Sequence, residues 1–207
     1  MKVSLKPVLT FLLLVTCLHI NAQIKPGYIF GVNLSTVTLH TKSISSNPDR
    51  PAGFHFGSVF EIPLNGNFKL DPAILLSAKG SNYKVDSIEF SLSPIYIEVP
   101  FLAAYSFGSD EIKISLFAGP YFACGVGGYK IVQGGELEDI NYGSGKDSDL
   151  KSLDFGLNFG AGINIRGLLI SAQYGIGLTN IAPESITVLE MKNNVIGISI
   201  SSLFARK

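Results

Sequence analysis

Residues 153–165 read LDFGLNFGAGINI. Leu153, Phe155, Leu157, Phe159, Ala161, Ile163 and Ile165 alternate with Asp154, Gly156, Asn158, Gly160, Gly162 and Asn164. A period of two puts the two sets on opposite faces of a strand. The apolar face is ordinary. The other face is not, because a water-facing strand surface usually carries longer polar side chains, and rows of glycine there only weaken the strand. A crowded interior, by contrast, needs small residues.

Seven further stretches carry the same alternation. They are 27–36, 53–64, 68–80, 94–107, 112–128, 168–179 and 193–204. Their apolar sets include Tyr28, Phe30 and Val32; Phe54 and Phe56; Ile95, Ile97 and Phe101; Ile196, Ile198 and Ile200. Opposite stand Asn33, His55, Ser77, Tyr96, Tyr121, Gly175 and Ser199. Most stretches reach the ~9–11 residues that a tilted strand needs to cross a membrane.

The connectors alternate in length. Asn65-Gly66-Asn67, Gly108-Ser109-Asp110-Glu111 and Arg166-Gly167 are tight, while 37–52, 80–93, 129–152 and 180–192 are longer and polar. At each tight turn the flanking residues are both apolar-face residues: Leu64 with Phe68, Phe107 with Ile112, Ile165 with Leu168. Paired residues of an antiparallel hairpin share a face, so the parity holds at all three turns.

These features predict an all-β fold, an eight-stranded antiparallel up-and-down transmembrane β-barrel. A soluble sandwich would bury the apolar face and wet the other. In a membrane barrel the apolar face meets lipid, and the small polar face fills a narrow lumen. The glycine-rich face selects the second. Tyr28, Phe68, Tyr105, Phe107 and Phe204 fall outward at the short-turn end, as an interfacial girdle would.

Composition agrees. Charged residues make up 15% of the 207, against the ~25% usual in soluble domains. Sixteen basic residues balance sixteen acidic ones, which gives no electrostatic footprint for nucleic acid. Residues 1–22 read as a cleaved secretory signal peptide: Lys2 and Lys6, an apolar run over 8–18, and Ala22 at the cleavage point. The alternative is a lipoprotein signal acylated at Cys17, for which Thr16 is a poor neighbour. Domain 23–207 then carries sixteen basic residues less two against sixteen acidic ones, a net charge of −2. It keeps one cysteine, Cys124, expected as a small apolar strand residue.

Eight inward polar positions form the predicted lumen network: Glu61, Lys69, Asp71, Lys79, Glu98, Lys113, Asp154 and Gln173. Such charges must pair or find water. They form either a cross-linked plug or the lining of a narrow pore for ions or small solutes, and the plug is preferred. The longest loop is acidic through Glu136, Glu138, Asp139, Asp147 and Asp149. It is the candidate for outer contacts, by divalent-cation bridging to lipopolysaccharide or by docking a protein partner. A solvated loop is the plain alternative.

No catalytic constellation emerges. His19, His40 and His55 have no metal-ligand spacing. Gly143-Ser144-Gly145-Lys146 lacks the Ser or Thr of a phosphate loop, since Asp147 follows. Gly160-Ala161-Gly162 belongs to strand alternation, and nothing brings Ser144 to His40. No enzyme activity, metal or cofactor is expected.

The segments GYIFGVNLS, GFHFGSVFEIPL, IYIEVPFLAAY, LFAGPYFACGVGG, LDFGLNFGAGINI, AQYGIGLTNI and KNNVIGISISSLF, in this order after a signal ending NAQ, resemble the PorT-like outer-membrane β-barrel proteins of Bacteroidetes. The resemblance spans nearly the whole mature chain. It implies a Gram-negative outer-membrane location and insertion by the barrel-insertion machinery. The terminal strand ending at Phe204 resembles the signal that this machinery reads, with Ala205-Arg206-Lys207 as a departure. It also implies a secretion-system subunit as one alternative role, and it brings no catalytic or ligand residue. The expected function is structural or interactive, through extracellular loops over a largely plugged lumen.

Overall fold

The computed structural model of the chain describes residues 24–40, 50–85, 88–109, 111–132, 135–145, 147–183 and 190–204. The expected signal peptide, with Cys17 and His19, lies outside these residues, as does Lys146. The strands are β1 (Lys25–His40), β2 (Ala52–Pro63), β3 (Phe68–Ala78), β4 (Ser81–Val85), β5 (Ile88–Gly108), β6 (Ile112–Val132), β7 (Glu138–Asp139), β8 (Leu153–Ile165), β9 (Leu168–Gly177) and β10 (Glu190–Leu203).

Eight of them form the wall. The order runs β5-β3-β2-β1-β10-β9-β8-β6, all antiparallel, and pairing of β5 with β6 closes the ring. Closure leaves no strand edge in lipid, which is the condition for a sheet to span a membrane.

The side-chain pattern is inverted relative to a water-soluble fold. Phe159 is 45% exposed while its neighbour Asn158 is 4% exposed. Tyr28, Phe56, Phe101 and Ile198 are exposed on the outer face. Asn33, His55, Ser77, Asp154 and Ser199 are buried in the lumen. The alternation of β8 is therefore preserved residue by residue. Among the girdle aromatics, Tyr28 meets Phe204 edge-on at 5.1 Å, and Phe68 lies 4.8 Å from Tyr105. Cys124 is exposed on the lipid face, in register with Ile97 and Leu153.

The short turns follow their residues. Arg166 and Gly167 both take left-handed φ, +52° and +93°, as a two-residue hairpin turn with the strand twist requires. Ile165 pairs with Leu168 across it. Gly66 sits at φ +62° in the first turn, closed by a Leu64 N–H to Phe68 carbonyl bond of 3.0 Å.

One expectation is corrected at the other end. Residues 80–93 are not simply a loop, because β4 folds back on the start of β5 with Ser81 opposite Leu92. β5 and β6 run 21 residues each, about 55 Å of height at ~3.4 Å per residue and ~40° tilt, so they rise well past a ~25 Å apolar band. Strand propensity continued beyond the lipid-spanning alternation, and the polar character of 80–93 hid it. A bulge marks the change: Ile95 pairs with Gly127 but Tyr96 with Gly125, leaving Val126 as the extra residue.

Candidate functional site

The lumen is layered. At the short-turn end Glu61 of β2 accepts from Lys25 at 2.9 Å and from Lys69 at 2.8 Å. Lys69 also pairs with Asp71 at 3.1 Å. Lys25, Glu61 and Lys69 border an open cavity of about 310 Å³, whose wall includes Lys113 and Ser106.

The middle layer is dense. Lys79 of the β3–β4 connection reaches Glu98 at 2.9 Å and Asp154 at 3.5 Å, and all three are buried. The Glu98 contact is an ion pair by distance without hydrogen-bond alignment. The ammonium is further held over the rings of Tyr96 and Tyr121, 5.0 and 4.7 Å from their centroids. Asp154 Oδ2 accepts from the Tyr121 hydroxyl at 3.1 Å and from Asn193 Nδ2 at 2.8 Å. One ammonium faces two carboxylates here, and a buried triad of this kind holds only while each member keeps its partners.

A second network lies beside it. Asn33 Nδ2 is within donating range of Ser77 Oγ and the carbonyls of Phe54 and Ala78. That fixes Asn33 Oδ1 toward His55 Nδ1, at 2.8 Å, so Nδ1 carries the proton. His55 Nε2 then meets Ser199 Oγ at 2.7 Å. The free space bordered by His55, Lys79, Glu98, Asn158 and Gln173 is about 10 Å³, one water at most.

The long-loop end is closed by apolar packing. Ile140, Leu150, Ile181 and Ala182 descend from the loops onto Val37 of β1, Leu92 of β5 and Met191 of β10. Leu150 and Ile181 are fully buried. Tyr142 bridges this cap to the polar layer: its hydroxyl donates to the Gly127 carbonyl at 2.9 Å, and its ring lies edge-on 6.1 Å from Tyr96. Gly125 leaves the room that this ring occupies.

The shape of this molecule is thus a closed eight-strand ring with lipid-facing apolar residues and a filled lumen. Residues 21–182 match the family described as outer membrane protein beta-barrel domain. The chain belongs to this family. Solved structures similar to the barrel include Ail, the attachment invasion locus protein of Yersinia pestis, in complex with the heparin analogue sucrose octasulfate. It has 13% identity and a TM-score of 0.40, over 86% of this chain and 98% of that one. Another is Neisserial surface protein A, with 12% identity and a TM-score of 0.45 over 86% and 97%. OprG from Pseudomonas aeruginosa shows 11% identity and a TM-score of 0.48 over 88% and 95%. No curated protein matches the chain.

In this barrel the eight predicted lumen positions separate into two groups. Glu61, Lys69 and Asp71 meet at the short-turn end, with Lys113 on the same cavity wall. Lys79, Glu98 and Asp154 meet in the middle, with Gln173 lining the small void. Alternation had placed Asn33, His55, Tyr96 and Tyr121 inward without marking them as network members. Asn193 shares their inward parity in the stretch 193–204, whereas Lys25 lies before the first alternating stretch and carried no such signal.

The five loop acids do not converge. Lys130 draws two of them together, Asp149 at 2.6 Å and Glu138 at 3.4 Å. The Asp149 hydrogen bond holds this ammonium, which lies beyond the lipid band, above its ordinary pKa. Asp149 Oδ2 also accepts from the Asn141 N–H at 2.9 Å. Glu136, Asp139 and Asp147 are exposed. Among the described residues no cluster of three or more acidic, His or Cys side chains could hold a metal ion.

Proposed function

We propose that this barrel is non-conducting and works through its extracellular surface, as a structural or interaction protein of the outer membrane. The observation that carries this reading is the double closure of the lumen. An apolar cap lies over a buried Lys79–Glu98–Asp154 plug, where the free space is about 10 Å³. A hydrated ion needs a continuous wet path, and seven packed apolar side chains in series with a buried ion cluster leave none. The outer loops, with Glu136, Asp139 and Asp147 exposed, are then the surface left for lipopolysaccharide or a protein partner. We assign residues 1–22 as the export signal and the barrel-insertion machinery as the route of assembly, on the sequence features that resemble PorT-like proteins.

The test is single-channel recording on refolded domain 23–207 in a planar bilayer, with a boiled-versus-unboiled gel shift to establish folding. A folded barrel with a flat current trace is expected. Stable, reproducible current steps would overturn the reading and favour a narrow pore. The open 310 Å³ cavity at one end is the feature that keeps the pore as the second reading. A secretion role rests on the resemblance to PorT-like proteins alone, and loss of secretion on gene deletion would support it.

A further inference from the structure

The wall is not equally bonded all the way round. Five of its eight seams, β1–β10, β1–β2, β10–β9, β6–β8 and β8–β9, pair without interruption. Each of the other three skips two residue pairs at mid-wall. Between β2 and β3 the pairing jumps from Val59–Ala73 to Ile62–Leu70. Between β3 and β5 it jumps from Pro72–Phe101 to Leu75–Glu98. Between β5 and β6 it jumps from Pro100–Tyr121 to Ala103–Ala118.

Each jump coincides with a proline, Pro72 of β3, Pro100 of β5 or Pro120 of β6. Proline has no N–H to give a ladder and is normally confined to edge strands. The backbone bonds at the strand ends set the phase of each seam: Leu64 N–H to Phe68, Ser106 N–H to Asn67 and Ser109 N–H to Ile112. Counted up from these by twos, Phe60–Pro72, Ala73–Pro100 and Phe101–Pro120 fall at positions where an antiparallel pair exchanges two bonds. The prolines remove one of the two, so the carbonyls of Phe60, Ala73 and Phe101 lose their ladder donors. Inside a bilayer such losses are not made good by bulk water. Pro26 and Pro63 lie at strand ends, and Pro94 faces the connection between β3 and β4.

The three breaks meet. Phe101 stands between Pro72 and Pro120, with Pro100 next to it in the chain, so they form one line across β2, β3, β5 and β6. Below the line lie Pro63, Lys69, Ser106 and Phe107, on the wall of the 310 Å³ cavity. Above it lies Glu98 of the plug. The lower ends of β3 and β5 stay paired with each other over Phe68–Pro72 and Phe101–Tyr105.

We propose that this line is a flexure. The patch made by the lower ends of β3 and β5 swings against the middle of the wall, so the short-turn mouth of the lumen changes width while the plug stays shut. Local opening of this kind follows where backbone bonding is thinnest. It is independent of the reading above, because neither the cap nor the plug moves.

The experiment uses refolded domain 23–207 in phosphatidylcholine nanodiscs. Amide hydrogen exchange at Phe60, Ala73 and Phe101 should be about fivefold or more faster than at Phe159, Tyr174, Phe30 and Ile200 of the unbroken seams, the factor that one ordinary hydrogen bond is worth. Equal protection in the two sets overturns the proposal. A missing bond alone would speed exchange without moving the turn, so a distance is also read. Spin labels at Asn65→Cys and Ile165→Cys, in a Cys124→Ser background, span the mouth from the broken side to the unbroken one. Pro72→Val with Pro120→Val restores two donors, and the distance distribution should narrow relative to the parent. Pro72→Val alone provides the comparison where the double variant does not fold. A distribution of the same width with and without the prolines also overturns the proposal.

Discussion

Phe159→Lys tests which side of the sheet meets lipid. Phe159 is the seventh of thirteen residues in β8, and its side chain is exposed on the outer face against Tyr174, ring centroids 5.5 Å apart. At ~3.4 Å per residue and ~40° tilt the strand spans about 34 Å of height, more than the ~25 Å apolar band, so its centre lies near the bilayer midplane. A lysine at that depth costs roughly 2–4 kcal/mol, whereas one near the interface costs about 0–1. Ile165→Lys, at the turn end of the same face, is therefore the matched control. The expected difference is a loss of about thirtyfold or more in the folding equilibrium constant for Phe159→Lys, worked at ~1.4 kcal/mol per decade. The assay is urea-dependent folding into phosphatidylcholine vesicles, read by the heat-modifiable gel shift. If Phe159→Lys folds with the same urea midpoint as Ile165→Lys, the outer face is not lipid-facing at this depth and the membrane assignment fails.

Lys79→Met removes the cation shared by Glu98 and Asp154, leaves two buried carboxylates uncompensated, and should lower stability by about 3–5 kcal/mol. Adding Glu98→Gln to it should recover part of that loss, and a urea midpoint no higher in the double variant than in Lys79→Met would argue against the ion cluster. Leu150→Ala hollows the apolar cap at a fully buried position, and a loss of about 2–3 kcal/mol is expected there. Because the cap is built on the barrel rather than into its wall, the gel shift should persist while protease cuts residues 135–151 faster; unchanged cleavage would mean the cap does not order the loop.

The barrel wall was legible because lipid and lumen impose opposite demands on successive residues. Every residue of β8 had to satisfy one or the other, and the alternation of Phe159 with Asn158 records that choice. The same rule placed Tyr96 and Tyr121 inward, although it could not say that their rings would hold Lys79. That meeting joins the β3–β4 connection to β5 and β6, and no local pattern fixes which inward residues lie at one height. The cap was hidden for a different reason. Ile140, Leu150 and Ile181 are scattered among acids, glycines and serines, with no period of two or 3.6 to betray a buried face. The loop acids were read by composition alone, and composition does not show that Lys130 would gather Asp149 and Glu138.

The first and last strands, β1 and β10, are neighbours in the ring, with Tyr28 opposite Ser202 and Phe30 opposite Ile200. These partners lie almost a full chain length apart, so their pairing carries a large loop-closure entropy and cannot begin until the last strand exists. Until then the other pairings form an open sheet with two bare edges and an apolar face. Such an intermediate templates aggregation in water. Synthesis order therefore gives this protein no early protected state, and its survival before insertion depends on whatever covers those edges in transit.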